Sequence, residues 1–271
     1  MSSVQVFLTR PAERIGSVPD RLRAAGICSF SLPALEVRPR PVGKIPDPAA
    51  YDLVLFVSRY AAQRYLQLLE DATGEHRSWP KLTLAATVGA SSAVVLKQAG
   101  LPPECIVHPP ADEQAQDSEA LLSILDSRGV QLARVLVVRG TQGREWLADT
   151  LRARGVLVEF LPVYERVPAA WSADMTEHLR QTLKDPSAKA VFLLTSSEGV
   201  TAIAKQLAQM GLLEEWAKSS FLVVHERIAA TLQSVLASQR VSEARRVAVC
   251  TPDDEAIVAA IQAVAGPTAE P

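Results

Sequence analysis

The stretch from Arg134 to Pro168, RVLVVRGTQGREWLADTLRARGVLVEFLPVYERVP, decides the fold, because the chain contains its pattern twice. An apolar run is followed by a helical pattern that ends at a glycine, and then by a second strand-like run. The stretch from Val4 to Pro39, VQVFLTRPAERIGSVPDRLRAAGICSFSLPALEVRP, has the same order. The two copies align without a gap, at the offset that separates Arg139 from Arg10 (139 − 10 = 129). The sequence therefore predicts an internal duplication.

Shorter similarities extend this repeat to the rest of the chain. FVS at 56–58 resembles LTS at 194–196, and each opens a helical pattern. DSEALL at 117–122 resembles DDEAIV at 253–258, again at a helix start. If four such units make a domain, the chain contains one unit, then a complete set of four, and then the remaining three.

This order predicts that one domain is inserted into the other. Alternating strands and helices are typical of parallel sheets covered by helices on both faces. We therefore expect an α/β fold of two similar parallel-sheet domains, joined by a two-stranded linker. The outer domain comprises residues 1–38 and 168–271, and the inserted domain comprises residues 39–167. The chain should cross between them at 32–39 and 161–168.

The composition limits the possible partners and the location. A net charge of −2 and a pI near 6.1 give no field that attracts nucleic acid or an anionic membrane surface. The N-terminus lacks the pattern of a signal peptide, and no apolar run approaches the ~18 residues of a membrane span. The three cysteines are widely spaced in apolar surroundings, which predicts buried thiols in a reducing compartment. We expect a cytoplasmic protein without nucleic-acid or membrane partners.

Polar residues follow the predicted strands, where open α/β sheets bind their ligands beside helix N-termini. They are arginines and small hydroxyls, a set suited to carboxylates. The candidate ligand-binding residues are Arg10, Ser58, Ser92, Arg139, Thr195, Ser196 and Ser197. The hydroxyl residues have an alternative interpretation as ordinary helix N-caps. The two arginines are stronger candidates, because a guanidinium at the end of a buried strand needs an anionic partner.

Other kinds of site are not indicated by the sequence. The chain has no Ser-His-Asp order and no phosphate-binding G-x-x-x-x-G-K-[ST] motif. The four histidines lack metal-ligand spacing. We therefore expect no metal site.

Tyr164 is the candidate catalytic residue. Its partner in the repeat is Leu35, so the duplicated scaffold does not require a phenol at this position. One interpretation is a tyrosine packed on the linker with its hydroxyl in water. The other is a group that donates a proton to a leaving hydroxyl or orients it.

Several motifs, taken in order, resemble the uroporphyrinogen-III synthase family (HemD). They are LTRP at 8–11, G-x-x-x-x-x-x-P at 26–33, PVYE at 162–165, LTSSEGV at 194–200 and PDDEAIVAAI at 252–261. The resemblance implies two domains joined by a two-stranded ladder, with the active site in the cleft between them. It also implies a cofactor-free reaction of heme biosynthesis, in which linear hydroxymethylbilane loses water and closes to uroporphyrinogen III with ring D inverted.

The resemblance extends to residue roles and partners. Tyr164 matches the family's linker tyrosine, the best candidate for assisting the loss of water. The implied protein is a monomer that receives its substrate from hydroxymethylbilane synthase. The chain departs from the family at 225–229, HERIA, where many relatives have a G-P-x-T-A turn with a threonine hydroxyl. There we expect backbone N–H groups and Arg227 to bind substrate instead.

A second function remains open at this point. The same anion-binding surfaces would suit a non-catalytic, two-lobed polyanion-binding or regulatory protein. Formation of the type III product isomer distinguishes the two.

Overall fold

The structure is a computed structural model that describes residues 4–11, 16–74, 78–110, 117–241, 244 and 246–265. By internal packing the chain divides into two compact units. The outer unit comprises Met1–Glu36 and Val167–Pro271, and the inserted unit comprises Val37–Arg166.

Strands and helices alternate along most of the chain. In order they are β1 (Val4–Leu8), α1 (Val18–Ala24), β2 (Cys28–Ser31), β3 (Leu35–Pro39), β4 (Leu53–Phe56), α2 (Arg59–Thr73), β5 (Leu84–Thr87), α3 (Ala90–Gln98), β6 (Ile106–Val107), α4 (Ser118–Ser127), β7 (Arg134–Gly140), α5 (Trp146–Ala153), β8 (Leu157–Pro168), α6 (Ala173–Lys184), β9 (Lys189–Leu194), α7 (Ser197–Met210), α8 (Leu213–Ala217), β10 (Ser220–Val223), α9 (Glu226–Ser238), β11 (Arg246–Val249) and α10 (Asp254–Ala265).

The outer unit contains a parallel sheet with the strand order β11-β10-β9-β1-β2. Its apolar strands are buried on both faces, because successive side chains point to opposite sides. Phe7 stacks on Phe192 at 4.7 Å on one face, and Trp216 of α8 packs edge-on against Phe221 at 5.1 Å. Val6, next to Phe7, belongs to the core on the other face, with residues of α1 and α10.

The inserted unit contains a sheet with the order β3-β8-β7-β4-β5-β6. The pairs from β8 to β6 are parallel. β3 is antiparallel to β8, because the Arg40 amide donates to the Val163 carbonyl at 2.9 Å and the Ala169 amide donates to the Ala34 carbonyl at 3.1 Å. The boundaries between the two units fall within β3 and β8.

The predicted α/β class with two mainly parallel sheets is confirmed. The prediction of three buried thiols is wrong for two of them. Only Cys105 is buried, whereas Cys250 is half-buried and Cys28 is exposed. Cys28 lies on β2, at the edge of the outer sheet, where β1 is its only neighbour among the described strands. Among the helices of the described residues, none combines the length and apolar character needed to cross a membrane.

Candidate functional site

Two of the predicted site residues, Ser58 and Tyr164, lie together in the inserted unit. Ser58 follows β4 and caps α2, where its Oγ accepts a hydrogen bond from the Ala61 amide at 3.1 Å. Tyr164 lies on β8, and its hydroxyl is 3.2 Å from the Ser58 hydroxyl. The two meet because β4 and β8 flank β7 in the sheet, so parallel strands bring both positions to the same edge.

The ring of Tyr164 is held on two sides. The pairing of β7 with β8 shifts register between Arg139 and Gly140, and this irregularity places Gly140 opposite Tyr164. A Cβ at position 140 would lie 2.6 Å from Tyr164 Cε2, so the ring occupies the space that a side chain there would need. Tyr60 of α2 packs edge-on against the ring at 5.2 Å. Tyr164 is only 5% exposed, and its hydroxyl has a protein partner in Ser58.

Either hydroxyl of the pair can be the hydrogen-bond donor. Ser58 Oγ already accepts the Ala61 N–H, and it lies at the N-terminus of α2, the positive end of the helix dipole. The Ser58 hydrogen can be donated to the phenol oxygen, or the phenol can donate to Ser58. In the first arrangement, Ser58 and the helix terminus both favour negative charge on the phenol oxygen.

The other buried phenols are occupied by structural contacts. Tyr51 donates to Glu159 Oε2 at 2.6 Å, and burial, followed by this hydrogen bond, raises the pKa of Tyr51 to about 12. Tyr65 donates to the Pro46 carbonyl at 2.7 Å, and burial also raises its pKa. Neither group is suited to proton transfer near neutral pH.

Arg139 is bound by the protein itself. It is 5% exposed, and its guanidinium donates to Glu145 Oε1 at 2.8 Å and to the carbonyls of Gly143 at 2.9 Å and Gly140 at 3.2 Å. The guanidinium also lies over the Phe160 ring, 4.6 Å from its centre. The anionic partner that the sequence led us to expect is therefore a carboxylate of the same loop, and Arg139 fixes that loop beside Tyr164.

Arg10, the repeat partner of Arg139, is bound in the corresponding way in the outer unit. It donates to the Pro252 carbonyl at 3.0 Å and lies 3.7 Å from Asp254. Asp254 also accepts from the amide and the hydroxyl of Ser17, both at 2.9 Å. The Ser17 amide, the Ser17 hydroxyl and the Arg10 charge hold the pKa of Asp254 below its usual value. Both copies of the repeat thus pair this arginine with an internal carboxylate.

The predicted hydroxyls of the outer unit lie between β9 and α7. Ser196 caps α7 by accepting from the Gly199 amide at 3.0 Å, and Thr195, which precedes it, is half-buried. Ser197 accepts from the Thr231 hydroxyl of α9 at 2.8 Å. Thr231 was not among the predicted site residues, because it lies inside α9 and does not follow a strand.

Arg227 is exposed in the first turn of α9, beyond the end of β10. Its amide donates to Nδ1 of His225 at 3.0 Å, so the histidine ring caps this helix. His225 therefore caps α9 in the turn at 225–229, where the G-P-x-T-A pattern has a threonine.

Ser92 lies in the first turn of α3 but is only 7% exposed. Ser91, its neighbour in the same turn, is exposed and was not selected from the sequence. Ser91 and Ser92 point to different sides of α3. Ser92 shares a face with the buried Val95 and Leu96.

A cleft of about 350 Å³ opens in the inserted unit beside Arg139. Its lining residues are Arg40, Arg139, Gly140, Thr141, Glu145, Phe160 and Pro162. Arg40 and Thr141 were not among the predicted site residues, because they follow strands in sequence without forming any recognisable motif. No group of three or more His, Cys, Asp or Glu side chains in the described part of the chain could hold a metal ion.

Comparisons with known proteins identify the family of the chain. The family model for uroporphyrinogen-III synthase HemD matches residues 17–248. The chain is 28% identical over 233 residues to the uroporphyrinogen-III synthase of Salmonella typhimurium, covering 83% of this chain and 89% of that protein. It is 26% identical over 232 residues to the Escherichia coli K12 uroporphyrinogen-III synthase, with the same two coverages.

Solved structures show the same fold. The uroporphyrinogen-III synthetase of Helicobacter pylori matches with a TM-score of 0.58 at 16% identity, over 96% of this chain and 99% of that one. A mutant uroporphyrinogen III synthase of Thermus thermophilus matches with a TM-score of 0.51 at 17% identity, over 96% and 97%. The match of the family model over most of the sequence confirms the resemblance seen in the motifs: the chain belongs to the uroporphyrinogen-III synthase HemD family.

Proposed function

We propose that Tyr164, oriented by Ser58, assists the loss of water from hydroxymethylbilane in the reaction of this chain. The family establishes the activity as that of a uroporphyrinogen-III synthase, a cyclising lyase of tetrapyrrole biosynthesis. The proposal adds the substrate groups and the residues that act on them. The observation that carries it is the 3.2 Å contact between the Tyr164 and Ser58 hydroxyls at the N-terminus of α2.

In the proposed first step, the bond between the hydroxymethyl carbon and its oxygen breaks. The pyrrole nitrogen supplies the electron pair, which leaves an azafulvenium cation, and the hydroxyl departs as water after receiving a proton from the Tyr164 phenol. Ser58 donates its hydrogen to the phenol oxygen and stabilises the charge that develops there, as the positive end of α2 does. The proton returns to the phenol oxygen when the ring closes and a pyrrole carbon is deprotonated.

The remaining steps depend on how the substrate is folded. The uncatalysed closure gives the isomer with an uninverted ring D, so the enzyme must hold the cation in the geometry that leads to inversion. Positioning of this kind supplies much of the selectivity in reactions of bound, flexible substrates.

We propose that the substrate carboxylates bind at the first turns of the helices that follow the strands. The groups in question are the backbone N–H donors there and the hydroxyls of Thr195, Ser196 and Ser197, with Arg227 on α9. The hydrogen of Ser58 is already donated to Tyr164 in this scheme. Ser92 is better placed to orient its turn, since it lies on the face of α3 that carries the buried Val95 and Leu96. Arg10 and Arg139 support their loops in this scheme, because protein groups already bind both guanidiniums.

The test is to supply the purified protein with enzymatically generated hydroxymethylbilane, oxidise the product and separate the porphyrin isomers. The expected product is the type III isomer. If only the type I isomer forms, at the rate seen without protein, the proposal is wrong and the polyanion-binding interpretation replaces it. Delivery of the substrate by hydroxymethylbilane synthase, a monomeric state and a cytoplasmic location stay predictions from the sequence.

A further inference from the structure

The cleft beside Arg139 combines a cation, a hydroxyl and an apolar wall. Arg139 and Glu145 form an ion pair at 2.8 Å, so their charges offset each other within the lining. Arg40 adds a further positive charge, and the cleft therefore carries a net charge of +1 (Arg40 and Arg139 against Glu145).

Arg40 has a side chain that is available to a ligand. It is exposed, and within the described residues its guanidinium makes no hydrogen bond or ion pair. The Thr141 hydroxyl is likewise exposed and without a hydrogen bond in that part of the chain. A guanidinium and a hydroxyl in one cleft are donors that suit a carboxylate.

The apolar part of the lining suits the aliphatic part of an acidic arm. Phe160 and Pro162 line the cleft, and the Phe160 ring already carries guanidinium groups near its face, at 4.6 Å for Arg139 and 4.7 Å for Arg152. The pyrrole side chains of the proposed substrate are short aliphatic arms that end in carboxylates. Such an arm would place its methylene groups against the apolar wall and its charge beside Arg40.

The backbone connects this cleft to Tyr164. The Arg40 amide donates to the carbonyl of Val163 at 2.9 Å, and the Thr141 amide donates to the carbonyl of Tyr164 at 3.0 Å. Both candidate ligand-binding residues are therefore fixed by adjacent residues of β8. A carboxylate bound in the cleft would therefore lie against residues whose backbones are held by β8 at Val163 and Tyr164.

We infer that this cleft is a carboxylate subsite, in which Arg40 and Thr141 bind one acidic arm of the polycarboxylate tetrapyrrole and position it relative to Tyr164. The inference rests on the proposed function for the identity of the ligand. Arg40 is a positioning and binding residue here and takes no part in proton transfer.

The experiment compares Arg40→Gln with a matched variant, Arg128→Gln. Arg128 is an exposed arginine of the same unit, at the C-terminal end of α4, away from the carboxyl ends of the strands. Binding is measured by fluorescence titration with uroporphyrin III, a stable polycarboxylate macrocycle, at low and high salt. Turnover of enzymatically generated hydroxymethylbilane is measured separately.

Arg40→Gln should weaken uroporphyrin III binding roughly tenfold, as expected for the loss of one charge-assisted hydrogen bond. KM should rise by a similar factor with little change in kcat, since the arm is held in both the ground state and the transition state. Arg40→Lys should recover most of the affinity, and the difference from wild type should shrink at high salt. Arg128→Gln should bind as the wild type does.

Two results would overturn the inference. One is unchanged binding and KM in Arg40→Gln, and the other is an equal loss in Arg128→Gln, which would indicate a general effect of surface charge. The titration separates this inference from the proposed function. If the wild-type protein makes the type III isomer and Arg40→Gln binds normally, the proposed function stands and the proposed subsite is wrong. A wild-type protein that makes only type I loses the function whatever the titration shows.

Discussion

The hydroxyl oxygens of Tyr164 and Ser58 lie 3.2 Å apart, although the residues are 106 positions apart in the chain. β7 separates their strands in the sheet, and the register shift of β7 at Gly140 leaves room for the Tyr164 ring. The contact therefore depends on three elements: the end of β4, the irregularity in β7 and the course of β8. Each can be changed separately.

Tyr164→Phe removes the proton donor and keeps the ring. Turnover should fall about ten- to a hundredfold if the phenol acts in proton transfer, while the free energy of unfolding should fall by only about 1 kcal/mol for the lost hydrogen bond. Steady-state kinetics and urea unfolding measure the two effects. Tyr60→Phe is the matched control. The ring centres of Tyr60 and Tyr164 are 5.2 Å apart, and the Tyr60 hydroxyl makes no hydrogen bond within the described residues. Equal kinetics for Tyr164→Phe and wild type would return Tyr164 to a structural role.

Ser58→Ala removes the α2 cap and the partner of the Tyr164 hydroxyl together. The lost cap should lower the free energy of unfolding by about 1 kcal/mol, and turnover should fall because the phenol loses its orienting group. Ser172→Ala serves for comparison, since Ser172 caps α6 through the Met175 amide at 3.2 Å and has no place in the proposed site. Both variants should lose similar stability in urea unfolding, but only Ser58→Ala should lose turnover. A parallel loss of turnover in both would mean that the Ser58 effect is one of stability alone.

Gly140→Ala places a Cβ within 2.6 Å of the Tyr164 ring. The tight packing should lower the free energy of unfolding by roughly 1–3 kcal/mol and displace the phenol, which lowers turnover. Gly43→Ala is the control, because a Cβ there meets nothing within 4 Å and the backbone lies outside the left-handed region. Unfolding of Gly140→Ala, Tyr164→Ala and the double variant measures the clash, since Gly140→Ala should cost much less stability once the ring has been removed. If the double variant is no more stable than additivity allows, the ring is not the obstacle.

The meeting of Ser58 and Tyr164 could be anticipated in part from the sequence. The apolar runs identified the strands, and the rule that ligands bind at the carboxyl ends of parallel strands selected Ser58. Tyr164 stood out because its repeat partner is Leu35, and a difference between duplicated copies points to function. The register shift at Gly140 could not be foreseen. The apolar pattern locates the two strands, but it does not show which residues of one pair with which residues of the other.

The role of the arginines could not be read from their positions. Arg10 and Arg139 end buried strands and do need anionic partners, but those partners are Asp254 and Glu145 of the protein itself. Which carboxylate reaches a guanidinium depends on loop paths and side-chain rotamers, which periodicity does not describe. Arg40 shows the reverse case, since its availability follows from the absence of any such partner in the described part of the chain.

Asp254 makes the stability of the outer unit depend on pH. Its pKa is held below the usual value by the Ser17 amide and hydroxyl and by Arg10. A carboxyl with a lowered pKa in the folded state stabilises that state above the unfolded pKa of about 4, and the contribution is lost as the pH falls through the folded value. Asp254→Asn should therefore lower the melting temperature by roughly 1–3 °C near neutral pH, and the difference from wild type should shrink as the pH is lowered below about 4.

Calorimetry of both proteins from neutral pH to acid pH tests this dependence. Asp20→Asn is the comparison, because Asp20 pairs with Arg23 on the surface of α1 with both side chains 78% exposed. Such an exposed pair contributes little, so this variant should melt close to wild type throughout. A melting difference for Asp254→Asn that stays constant down to acid pH would show that its charge does not stabilise the fold. In that case the difference would come from the hydrogen bonds that Asp254 accepts from the amide and hydroxyl of Ser17, which asparagine does not fully reproduce.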